Sequence, residues 1–291
     1  MTMGFTCIVT NNYVQFPQPS FPGRQMVKIL HFNYQLKGQV FEQGRDLKAS
    51  DLPLFPEESN YPSILNQSPD QICQFFAAIE EEKTYDRILA ILTSSQLSPI
   101  YSQVKDAIKS FSGRVHIQLI DSQSTSIGLG FLVQSAIEAI QKNITFTEIE
   151  HLVRSLIPRI YAIVCTPGLS YLYRAGFVDH SQAMVGEMLG LLSLFALEEG
   201  HLTPLEKVRN HRQVLDSFQE FLDEFEYLQH IALVQNISPN SQDGRLLREH
   251  AQDNFPKTSF TEHSINLALA ALLGPQTSSL FAVELQGRKS R

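Results

Sequence analysis

The chain has 291 residues, 43% of them apolar and 18% charged, with a net charge of −7. That length accommodates two domains of common size, and acidic residues spread along the chain without a basic patch exclude the usual nucleic-acid-binding pattern. No run approaches the ~18 apolar residues of a membrane-spanning helix, the opening MTMGFTCIVTNNYVQF lacks the order of a secretion signal, and the expected location is cytoplasmic.

From the N-terminus, FTCIVTNN (5–12) reads as a short apolar strand that ends in turn formers, and QMVKILHFNYQL (25–36) as a second extended run between Pro-rich and Gly-containing turns. SPDQICQFFAAIEEEK (68–83) predicts a helix with a Ser N-cap and Pro in the first turn, its apolar face marked by Ile72, Phe75, Phe76 and Ile79. RILAIL (87–92) is a buried strand. It runs into the hydroxyl-rich turn TSSQLSP and then a helix carrying Tyr101, Val104, Ile108 and Phe111. RVHIQLID (114–121) is a further strand, followed by a second hydroxyl-rich turn and a helix over 127–142.

Strand, polar turn and helix therefore recur, with the polar turns at the carboxyl ends of the strands. That order predicts a parallel sheet with covering helices and a ligand crevice at that edge, where helix N-termini favour an anion. Beyond an amphipathic helix (145–158) and a strand (159–165), the pattern changes. A short helix with a Gly stop precedes a buried helix, which runs into a hairpin turning at EEG. A long helix (212–228), a strand (229–235) and another helix (240–253) follow, and INLALAALLGPQTSSLFAVEL closes the chain. The expected class is α/β: a Rossmann-like parallel-sheet domain over 1–160, with helices on both faces, and a second, smaller α/β (α+β) domain over 161–291.

The common catalytic motifs are absent: there is no GxSxG elbow, P-loop or HExxH. GLGFLV (128–133) lacks the third Gly of a dinucleotide fingerprint and reads as close helix packing. Cys7, Cys73 and Cys165 are far apart and odd in number, which predicts small interior residues rather than disulfides. The histidines form no metal pair at helical spacing, and His180, His201 and His211 fall in polar, solvated surroundings. No cofactor or metal is expected. Ser98 has two readings from the residues alone. It caps a helix beginning at Pro99, or it joins Asp121 and a histidine in a Ser-dependent hydrolase.

The order of segments resembles the DegV family of bacterial fatty-acid-binding proteins. CIVTNN with a following FP is similar to that family's opening strand and turn. PSILNQSPDQICQFF stands where the family has a Thr-Ser-Gln-Pro-Ser-Pro motif. SSQLSPIYSQ resembles Ser-Ser-x-Leu-Ser-Gly-Thr-Tyr, and IDSQSTSIGLGFLV the strand-Asp-Ser segment with its Gly-rich helix, which brings in Asp121, Ser122 and Ser126. LSYLYRAGFV is similar to Leu-x-x-Leu-x-x-Gly-Gly-Arg-Ile, LLSLFALEEGHLTPLEKVR to a hairpin followed by Lys-Val-Arg, and ALLGPQTSSLFAVE to a closing His-x-Gly-Pro-Gly segment.

The resemblance implies a carrier without catalytic activity that holds one long-chain fatty acid in a tunnel between two domains. It places the head group at the motif Ser, neighbouring N–H groups and the motif Thr. It also implies, for some members, a fatty-acid kinase partner. In this chain Ser95, Ser98 and Tyr101 keep motif residues. Pro99 replaces the Gly, Ile100 the Thr, Ile64 and Leu65 stand at the Thr-Ser of the first motif, Phe177 replaces the Arg, Leu272 the His, and Asn11-Asn12 an Asp-Ser. These replacements predict a less polar head-group site than is usual for the family. The alternative is a degenerate member that binds a neutral lipid or acts only through protein contacts, and loss of the Arg and His argues against the kinase partner.

Overall fold

A computed structural model describes residues 5–238 and 241–285. The chain opens with β1 (Thr6–Asn11), β2 (Val27–Leu30), β3 (Asn33–Leu36), β4 (Gln39–Phe41) and β5 (Ser63–Leu65). There follow α1 (Pro69–Glu81), β6 (Arg87–Leu92), α2 (Ile100–Ser110), β7 (His116–Asp121), α3 (Ser126–Gln141) and α4 (Phe146–Leu156). Two compact units result. The first runs to Tyr34, takes up Glu42–Gly44 and resumes over Ile64–Pro158; the second contains Gln35–Phe41, Arg45–Ser63 and the described residues from Arg159 onward. Residues 35–41 and 45–63 thus cluster with the second unit, away from their neighbours in sequence.

The first unit is built on a sheet of order β2–β1–β6–β7, parallel throughout. Ile88 to Leu92 are wholly buried, as expected of a parallel strand covered on both faces, which reads as a continuous apolar run. α1 begins with a reciprocal capping box, Ser68 to the Gln71 N–H and Gln71 back to Ser68, and buries Ile72, Phe76 and Ile79. The extended run at 25–36 is interrupted at His31-Phe32, so it forms β2 and β3 rather than one strand. β3 joins β4 and β5 in a small sheet of order β4–β3–β5. In α3, a Cβ on Gly130 would lie 1.8 Å from the Gln15 carbonyl oxygen. The glycines of GLGFLV thus include one that admits a neighbouring main chain.

In the second unit, β8 (Ile160–Pro167), α5 (Ser170–Arg174), α6 (His180–Met188), β9 (Leu192–Glu198) and β10 (His201–Val208) come first. α7 (His211–Asp223), β11 (Leu228–Gln235), α8 (Ser241–Asn254), β12 (Ser259–Ser264), α9 (Leu267–Leu273) and β13 (Ser278–Glu284) follow. The sheet has the order β10–β9–β8–β13–β11–β12, and β11–β12 is its parallel pair. The β9–β10 hairpin turns at Glu199-Gly200, both at positive φ (49° and 86°), the conformation that suits a two-residue turn between right-twisted strands. Val214, Phe218 and Leu222 of α7 join Leu247 and Ala251 of α8 in one buried cluster with Ile231, Leu233 and Leu280 of the sheet. Each large side chain so buried contributes about 1.5–3 kcal/mol. α6 departs from the buried helix expected there: Met184, Val185, Met188 and Leu189 are exposed, and Ala183 and Gly186 form the covered side.

Candidate head-group crevice

In the first unit, two polar turns meet at the carboxyl edge of the parallel sheet, after β6 (93–99) and after β7 (122–125). The Ser124 carbonyl joins them by accepting the Ser94 N–H at 2.8 Å and the Thr93 hydroxyl at 3.2 Å. Asp121 reaches across as well, its carboxylate accepting the N–H groups of Ser95 and Gln123. The Ser122 hydroxyl donates to the Ser124 carbonyl at 3.0 Å. Gln123 and Ser126 hold φ of 50° and 48°, uncommon for residues with side chains. The Ser126 hydroxyl donates to Gln15 Oε1 at 2.8 Å, and Gln15 N–H donates to the Ser126 carbonyl, so this strained turn is braced from the segment after β1.

Ser98 is 8% exposed, and its N–H donates to the Ser94 carbonyl. Its hydroxyl accepts the Ile100 N–H at a long 3.4 Å. Pro99 already has helical backbone angles (φ −71°, ψ −6°), so the bond from the Ile100 N–H to Ser98 is the long form of the cap expected for a helix beginning at Pro99. Among the described residues no hydrogen bond joins Ser98 to a histidine. Ile100, the first residue of α2, is buried and Tyr101 beside it half-buried; Ile64 and Leu65 lie half-buried on β5. Phe177, half-buried after the turn that ends α5, and Leu272, buried in α9, belong to the second unit. The other nine candidate residues belong to the first, and hydrogen bonds knit Ser95, Asp121, Ser122, Ser126 and Ser98 into the two turns.

Residues beyond those candidates also contribute. Thr10, Asn11, Ser124 and Thr125 are at most 3% exposed. The hydroxyls of Thr10, Ser124 and Thr125 and both amide atoms of Asn11 have no partner among the described residues. Nearby, the Asn12 amide donates to the Tyr34 hydroxyl at 2.6 Å, and burial holds the Tyr34 phenol above its ordinary pKa, so it stays neutral. The sequence signal for this cluster is the polar ending of an otherwise apolar strand, TNN at 10–12.

The turns at 93–99 and 122–125 contain no Lys, Arg or His. What they offer is hydroxyls, backbone N–H groups and the amino ends of α2 and α3, which suits a small oxygen-bearing group better than redox or metal chemistry. Among the described residues no cluster of three or more His, Cys, Asp or Glu is placed to hold a metal, and no helix is long and apolar enough to cross a membrane.

A parallel-sheet α/β unit with a polar edge, joined to a second unit built on a mixed six-stranded sheet, defines a two-part α/β protein. The family model described as "Uncharacterised protein, DegV family" matches residues 7–285, and the chain belongs to that family. A DegV domain-containing protein of Caldanaerobacter subterraneus is 26% identical over 187 residues, which are 64% of this chain and 66% of that protein's length. The crystal structure of a fatty acid binding DegV family protein from Streptococcus agalactiae superposes with a TM-score of 0.82 at 18% identity, covering 97% of this chain and all of that one. The Streptococcus pneumoniae Fatty Acid Kinase (Fak) B3 protein, solved loaded with linoleic acid, superposes at 0.80 with 16% identity, covering 96% and 99%. At these identities the two structures show the fold.

Proposed function

We infer that this protein is a carrier of a long-chain fatty acid, with the head group held at the crevice formed by the turns after β6 and β7. The observation that carries the reading is the set of buried, unpartnered polar groups at that edge, in a family whose solved members include fatty-acid-bound proteins. An acyl chain removed from water contributes about 0.8 kcal/mol per CH₂, so chain burial supplies the affinity and the polar edge selects the head group. The tunnel expected from the resemblance belongs to this proposal, as do the roles of Ser98, Ser95 and Asp121. A carrier role rather than catalysis fits a Ser98 that no hydrogen bond joins to a histidine among the described residues. Handover to a fatty-acid kinase is disfavoured by Phe177 and Leu272, which replace the Arg and His of the motifs.

Native mass spectrometry of the purified protein, followed by solvent extraction and lipid analysis, tests the reading. A stoichiometric fatty acid supports it. A protein that arrives empty and fails to bind a fluorescent fatty acid rejects it. The apolar residues at Ile64, Leu65 and Leu272 favour one second reading, a neutral lipid, which the same extraction would reveal.

A further inference from the structure

Asn11, Leu92 and Asp121 are the last residues of three adjacent parallel strands, β1, β6 and β7. Val9 pairs with Ala90, and Leu92 with Asp121. Since side chains alternate with period two, the three residues share one face of the sheet. Gln118, of opposite parity to Asp121, donates to Glu150 of α4 and so marks the other face. Asn11 and Asp121 are thus two strand spacings apart, roughly 10 Å. Asp121 fixes the Ser95 N–H of the turn that leads to Ser98, and Asn11 lies on the same side of the same edge.

Asn11 is wholly buried, and neither Nδ2 nor Oδ1 has a partner among the described residues. An orphaned buried amide destabilises a fold, whereas an apolar residue of the same shape, such as Leu, would not. The amide offers two donors and an acceptor side by side. Around it, the two polar turns carry Asp121 but no cation.

We propose that Asn11 is a head-group ligand that pairs in bidentate fashion with a group offering both a donor and an acceptor: an undissociated carboxyl or a primary carboxamide at the end of an acyl chain. Nδ2–H donates to the ligand carbonyl, and the ligand O–H or N–H donates to Oδ1. A neutral Asn on the same sheet face as Asp121 accommodates an uncharged head group without like-charge repulsion, and it supplies donors where Ile64 and Pro99 supply none. The assignment rests on the lipid-carrier reading above and names the class of head group.

The test compares palmitic acid, palmitamide and methyl palmitate by displacement of a fluorescent fatty acid from the wild-type protein, Asn11→Leu and Asn11→Asp. Acid and amide should bind the wild type alike, with the ester, which lacks a donor, at least about tenfold weaker. Asn11→Leu should bind all three equally and melt no lower than wild type without ligand. Asn11→Asp, which keeps the shape but loses the Nδ2 donors, should weaken acid and amide about tenfold. Equal binding of acid and ester by the wild type overturns the assignment, as does discrimination that survives in Asn11→Leu, since an ordered water would then satisfy the amide. If the wild type binds none of the three, the carrier reading falls as well.

Discussion

The Ser95 backbone N–H lies 3.3 Å from Asp121 Oδ1 and 3.2 Å from Oδ2, so the last side chain of β7 grips the turn that leaves β6. Asp121 Oδ1 also accepts the Gln123 N–H at 2.9 Å. One carboxylate thus holds both polar turns. Replacing it with Ala leaves both N–H groups to find water, and bonds to a charged group contribute about 1.5–3 kcal/mol. Asp121→Ala should lose about 2 kcal/mol in urea unfolding and weaken fatty-acid binding. A loss below a few tenths of a kcal/mol would show that the grip is not structural.

Gly130 is constrained by packing rather than by backbone angle. A methyl group there meets the Gln15 carbonyl oxygen at 1.8 Å and the Phe16 Cα at 3.0 Å. Main chain cannot rotate away as a side-chain tip can, so α3 and the 15–16 segment must separate. Gly130→Ala should cost about 1–3 kcal/mol despite the better helix propensity of Ala. An unchanged or raised melting temperature would contradict this.

His230 sets a pH limit on stability. It is 6% exposed on β11, with Nδ1 2.6 Å from the Ser259 hydroxyl and Nε2 3.1 Å from that of Thr261. Thr261 also contacts His263 Nε2, at 2.9 Å. Burial, reinforced by His263, lowers the His230 pKa from 6.5 to about 4. Between those values the unfolded chain binds a proton that the folded one refuses. Stability is therefore full above pH 6.5 and falls as the pH drops through that window, by up to about 3 kcal/mol. Urea titrations of wild type and His230→Gln at pH 7 and pH 4.5 should show a steeper acid loss in the wild type. Parallel losses would remove His230 as the cause.

Ser98 contributes one hydroxyl to the proposed site, and its present partner, the Ile100 N–H at 3.4 Å, is weakly held. One neutral hydrogen bond contributes about 0.5–1.5 kcal/mol. Ser98→Ala should accordingly weaken fatty-acid binding about threefold to tenfold without changing the melting temperature of the ligand-free protein. Equal affinity would place the head group elsewhere.

Much of the fold was legible along the chain because its causes are local. Ser68, Pro69 and Gln71 start α1 by capping. The unbroken apolar run of β6 announces a strand covered on both faces, and the turn formers at 199–200 close the β9–β10 hairpin. β12 was not legible. SFTEHS is polar, an edge strand defined by its pairing with β11 and not by an apolar pattern. The exposed face of α6 was missed for a related reason: Met and Leu fit a core as well as a surface, and neighbours decide which.

The candidate site divides in the same way. The sequence by itself determined that hydroxyl-rich turns follow β6 and β7 and open helices, because strand length, turn residues and helix periodicity are properties of short segments. It also exposed, through motif order, the family and the apolar replacements at Ile64, Phe177 and Leu272. Only the tertiary structure decided that Asn11 ends its strand on the face shared with Asp121, wholly buried and with both amide atoms unpaired among the described residues. It likewise decided that residues 35–41 and 45–63 cluster with the second unit. Burial and hydrogen-bond satisfaction depend on which distant segments arrive beside a residue, and no local pattern encodes that.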